Sequence, residues 1–91
     1  MEVKISEQLV TDTQRYHIEC DGLAYLLSYM VKNGVDVNLD MYKNYETKYF
    51  EAFQSFEHSK GEVEQEVRRA VPNVTSWSLD YNTGMAKVET S

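Results

Sequence analysis

The chain has 91 residues, 42% of them hydrophobic and 26% charged, with a net charge of −6. That composition suits a soluble globular protein of one small domain, with no sign of disorder except in the last few residues. Nine basic against fifteen acidic residues argue against direct nucleic-acid binding, which needs cations to displace the counterions of phosphate.

At the N-terminus, "MEVKISEQ" has no basic region followed by an apolar stretch, so no secretory signal is visible. No apolar run is long enough to span a membrane. The expected location is the cytoplasm, the host cell's if a phage encodes the chain. "EVKIS" alternates, with Val3 and Ile5 on one side, and predicts a strand over residues 2–5. A helix is expected over 6–33, with Ser6 as N-cap and Glu7 in the first turn. Leu9, Thr13, Tyr16, Cys20, Leu23, Leu27 and Met30 step by fours and threes along one seam. Gly34 in "KNG" supplies a left-handed cap.

Asn38 or Asp40 is placed to cap a second helix over 39–70, which stops before Pro72. Its expected inner positions are Tyr42, Tyr45, Tyr49, Phe53, Phe56, Val63, Val67 and Ala70. The segment "YKNYETKYFEAFQSFEH" puts six aromatic rings into seventeen positions, and most of them share that inner stripe. Phe50 falls off it, either under the sheet or in solvent. The seam thins at Ser59, Lys60 and Gly61, where a kink or break is expected because glycine weakens a helix interior. The tail "SWSLDYNTGMAKVE" predicts a β-hairpin over 76–89: Trp77, Leu79 and Tyr81 alternate, Gly84 takes the positive-φ turn position, and Met85 and Val88 return. Two strands alone are marginal in water. The expected fold is therefore α+β, an antiparallel hairpin of two long helices with a small antiparallel sheet of the C-terminal hairpin and the N-terminal strand, burying Trp77.

Helix one carries a second apolar stripe, Ile18, Tyr25 and Tyr29, opposite Leu9 and Leu27. Three readings fit it. The sheet covers it, or a break at "CDG" with Asp21 as a new cap resets the phase, or the stripe is an interface to another protein or another copy.

Enzyme constellations are poor. His17 and Cys20 stand at i and i+3, but two ligands do not make a zinc site, and no metal or other cofactor is expected. Cys20 is the single cysteine, so no internal disulfide forms. The four glycines are scattered and make no phosphate loop. "NVT" at Asn73–Thr75 has glycosylation spacing that means nothing without secretion. An enzyme would need a pocket collecting His17, Asp21 or His58. The chain is read as no enzyme.

"DGLAYLLSYMV", the tyrosine-rich second helix and the ending "WSLDYNTG" together resemble small accessory proteins of Firmicutes mobile elements and of modification clusters for Cys-x-x-x repeat peptides. Those chains are similar in length and run helix, helix, then Trp-x-Leu/Ile-Asp-aromatic. The resemblance rests on Trp77, Leu79, Asp80, Tyr81 and the pair Gly22 and Leu23. This chain departs from them in its richer tyrosine content and in Gly84, where a cysteine would be expected. The resemblance implies an accessory binding protein, with no catalytic residue to carry over.

Two functions are weighed. The first is an acidic protein-binding module, an adaptor or inhibitor of phage or mobile-element type. In its sharpest form it is anti-CRISPR-like: Glu46, Glu51, Glu57, Glu62, Glu64 and Glu66 present an acidic face to a basic nucleic-acid channel. The second is a structural or assembly subunit, for example of a phage particle, self-associating through Ile18, Tyr25 and Tyr29.

Overall fold

The computed structural model describes residues 1–91. The element order is β1 (Glu2–Lys4), α1 (Glu7–Lys32), α2 (Asp40–Ala70), β2 (Val74–Asp80) and β3 (Met85–Thr90). The fold is the expected α+β arrangement, a helical hairpin with a three-stranded antiparallel sheet. The strand order is β1-β3-β2, with Val3 opposite Ala86 and Trp77 opposite Val88.

The chain divides into two compact units, Met1–Gln14 with Glu57–Ser91, and Arg15–Phe56. The first holds the sheet, the start of α1 and the end of α2. Its core joins Ile5, Leu9 and Val10 to Val63, Val67 and Val71, and to Val74, Ala86 and Val88. Complete burial of Ile5, Val63 and Val67 contributes about 1.5–3 kcal/mol each. Trp77 lies half-buried at the margin of this core rather than inside it. Its indole Nε1 donates to Glu64 Oε1 at 3.4 Å. Two buried hydroxyls satisfy each other, Thr13 Oγ1 donating to Ser59 Oγ at 3.0 Å.

Ser6 occupies the expected cap position, and its carbonyl accepts from the Val10 N–H. Its hydroxyl does not cap α1. It donates to Glu66 Oε2 at 2.8 Å, while the Ser6 N–H donates to Glu66 Oε1 at 3.0 Å. A carboxylate from α2 thus takes over at the helix N-terminus, where negative charge is favoured.

The second unit holds the rest of both helices and the connection between them. Both helices run unbroken, so neither the break at Asp21 nor the one at Gly61 occurs. The reason is the same in both places. A helical glycine costs about 1 kcal/mol, and buried residues on either side keep the phase: Cys20 and Met30 around Gly22, Ser59 and Val63 around Gly61. At the end of α1, Gly34 has φ +78. Its N–H bonds to the Val31 carbonyl, and the Val35 N–H reaches the Met30 carbonyl. That is the Schellman pair, as glycine allows. In the connection, Asp36 rather than Asn38 or Asp40 supplies the side-chain acceptor, taking the Asn38 N–H at 2.8 Å. The Leu39 carbonyl accepts the first bond of α2, from Lys43.

Candidate partner-binding surfaces

The six acidic residues of α2 do not form one face. At 100° per residue on an unbroken helix, Glu46, Glu57 and Glu64 align, while Glu51, Glu62 and Glu66 lie on the other side. Several are engaged inside the chain. Glu57 Oε1 pairs with Lys60 at 2.7 Å, Glu62 with His58 at 2.8 Å and Glu64 with Arg68 at 3.6 Å. Glu66 holds Ser6, which makes it part of the fold. Glu46 is half-buried. Glu51 lines a cleft of about 590 Å³ with Tyr16, Leu23, Tyr45 and Lys48 among its other walls.

The apolar stripe has a different character. Ile18, Tyr25 and Tyr29 are 65%, 74% and 56% exposed. None belongs to the core beneath the sheet, and α1 keeps its phase through Gly22. The covered reading and the broken-helix reading of the stripe therefore both give way to an open surface. Spacings of seven and four set these three side chains within about 40° of one another around α1.

They are not alone. Ten large hydrophobic side chains are exposed, and all but Met1 lie within Arg15–Phe56. Phe53 is among them at 42%, although helical spacing placed it on the inner stripe, and Phe50 is exposed at 55%. The rings of both gather on Tyr49, with centroids 5.7 Å (Phe50) and 6.2 Å (Phe53) away. The inner positions Tyr42, Tyr45, Tyr49 and Phe56 are half-buried. The unit buries only Cys20, Met30 and Ala52. Sequence reasoning put Phe53 inside and did not single out Val31. The signal was the width of the stripe, since Phe53 stands 80° or more from Tyr45 and Ala52 around the helix.

The residues that an enzyme would have needed are placed as follows. His17 stacks on Phe56, with centroids 4.8 Å apart, and Nε2 meets Asp21 Oδ2 at 3.2 Å. His58 is 80% exposed beside Glu62. Cys20 is buried, and no group of three or more His, Cys, Asp or Glu side chains converges. No helix is long and apolar enough to cross a membrane. No protein-family model matches the chain, and no curated protein or solved structure does so either.

Proposed function

We propose that the chain is a non-enzymatic protein-binding module, an adaptor or inhibitor, that docks a partner through the open stripe Ile18, Tyr25 and Tyr29 of α1. The exposure of these three side chains carries the reading. An apolar patch left in water forgoes about 25 cal/mol for each Å² that burial would have gained. Tyrosine at the centre of such a patch suits recognition, because it offers a large contact area at low entropic cost. Relative to the sequence-based expectation, the six acids of α2 are not part of the proposed interface; the net charge of −6 serves to steer encounter with a basic partner and contributes little to its hold.

The same openness favours a second reading, self-association of an assembly subunit through this stripe. Light scattering across a concentration series at two salt levels separates the two. A monomer throughout supports the adaptor; a salt-insensitive oligomer supports assembly. The module itself is tested by affinity capture with the wild type and with Ile18→Glu/Tyr25→Glu, two exposed positions where substitution costs about 0.5 kcal/mol or less. The expected result is loss of a specific partner, or of the oligomer, in the variant. Identical captured proteins and identical oligomeric state in both would overturn the proposal.

A further inference from the structure

The sheet has an open side. β2 is an edge strand of seven residues. The Val88 N–H bonds to the Met1 carbonyl and the Ile5 N–H to the Gly84 carbonyl. The even-numbered residues of β3 therefore address β1, and its odd-numbered residues address β2 at Ser76, Ser78 and Asp80. It follows that the N–H and C=O groups of Trp77 and Leu79 point away from the sheet. Edge strands are usually guarded by lysine, proline, a bulge or brevity. The opposite edge, β1, is guarded in this way, with three residues that include Glu2 and Lys4. From Ser76 to Asp80, β2 has no cation and no proline, and its one irregularity lies before Ser76.

A cleft of about 240 Å³ lies beside this edge, lined by Glu57, Lys60, Gly61, Glu64 and Trp77. Its floor is open because a Cβ added at Gly61 would meet nothing within 4 Å. Lys60 is already paired with Glu57, and Arg68 and the Trp77 indole both reach Glu64. All of these contacts fall on Oε1, so each carboxylate keeps its second oxygen for an incoming donor.

We propose that the free edge of β2 accepts an extended peptide strand from a partner protein, and that the Gly61 cleft takes a lysine or arginine side chain of that strand. The backbone groups of Trp77 and Leu79 supply the ladder. A residue opposite Trp77 in the added strand points to the same side of the sheet as the indole, and so into the cleft. What favours a cation is geometry rather than a local charge surplus: Glu57 pairs with Lys60 and Glu64 with Arg68, both through Oε1, so the second oxygens and the Trp77 ring face the incoming side chain, and the chain carries −6 overall. This surface shares no residue with the Ile18 stripe, so the two proposals stand or fall separately.

Trp77 is the only tryptophan, and its emission reports on the edge directly. The full chain is titrated with a short peptide of alternating threonine and valine bearing one central lysine, and with the glutamate counterpart. The lysine peptide is expected to shift Trp77 emission and to slow amide exchange at Trp77 and Leu79, with the glutamate peptide about tenfold weaker. Gly61→Arg fills the cleft, repels the cation and strengthens the helix; Leu79→Pro removes an outward N–H without touching the β2–β3 ladder. Each is expected to weaken the lysine peptide by about tenfold or more. The proposal is overturned if neither amide slows at about 1 mM lysine peptide, if the glutamate peptide binds equally, or if both variants bind as well as the wild type. It is also overturned if the two amides are protected without peptide in proportion to protein concentration, because a second copy would then hold the edge.

Discussion

Glu66 offers the sharpest test of which acids belong to the fold. Its two carboxylate oxygens accept from the Ser6 N–H at 3.0 Å and the Ser6 hydroxyl at 2.8 Å. Hydrogen bonds to a charged group contribute about 1.5–3 kcal/mol when sheltered. Ser6 is exposed and Glu66 half-buried, so solvent screening lowers the pair to about 1–2 kcal/mol in total. Glu66→Ala is expected to lose that amount, equivalent to a melting temperature lower by about 4–8 °C per kcal/mol in a chain of this size. Ser6→Ala, which keeps the N–H contact, is expected to lose about half as much. The double variant should lose less than the sum of the two, because both remove the hydroxyl–carboxylate bond. Glu62→Ala is the control: its partner His58 is 80% exposed, and the loss should stay below about 0.5 kcal/mol. Urea denaturation followed by Trp77 emission and by circular dichroism measures all four variants. If Glu66→Ala costs no more than Glu62→Ala, or if the Ser6 and Glu66 effects are strictly additive, the clasp does not contribute and Glu66 returns to the solvated acids.

Two further predictions concern the same unit. Thr13→Val and Ser59→Ala each leave one buried hydroxyl without its partner and should cost about 1–2 kcal/mol, whereas the double variant should be milder than either sum suggests, read as a coupling in a double-mutant cycle. The glycines should divide by sign. Gly84→Ala, at φ +71 with a Cβ 2.9 Å from Lys4 Nζ, should destabilise by about 1–2 kcal/mol, while Gly61→Ala, helical and unobstructed, should stabilise by up to about 1 kcal/mol; thermal melts of the two variants would show opposite shifts.

The elements were legible because each is written locally. Alternation gave β1 and the hairpin, the seam from Leu9 to Met30 gave α1, and Pro72 and Gly34 gave the stops. What sequence left open were questions of reach. Periodicity says that Ile18, Tyr25 and Tyr29 share a face, but not what covers it. Their exposures of 65%, 74% and 56% show that no element of this chain covers that face. The acids show the same gap in another form. Composition counts fifteen of them, but nothing local indicates that Glu66 is held by a residue sixty positions away.

The uneven burial bears on function through energetics. The sheet-bearing unit fully buries Ile5, Val63 and Val67 and pairs its buried hydroxyls. The second unit buries a thiol, a methionine and an alanine, and leaves nine large apolar side chains in water. Stability could have been raised at small cost by polar residues at Ile18, Tyr25 or Phe50, since exposed positions on a helix tolerate almost any good helix former. Apolar residues at these positions, each more than half exposed, cost solubility and return little burial to the isolated chain. Two kinds of surface follow, and their physics differs. The α1 stripe gains by burial, without direction and with little dependence on salt. The β2 edge gains by backbone hydrogen bonds of fixed register, with a cation site that salt screens. Dissociation that quickens with salt therefore points to the edge and its Gly61 cleft, whereas salt that slows association alone fits Ile18, Tyr25 and Tyr29.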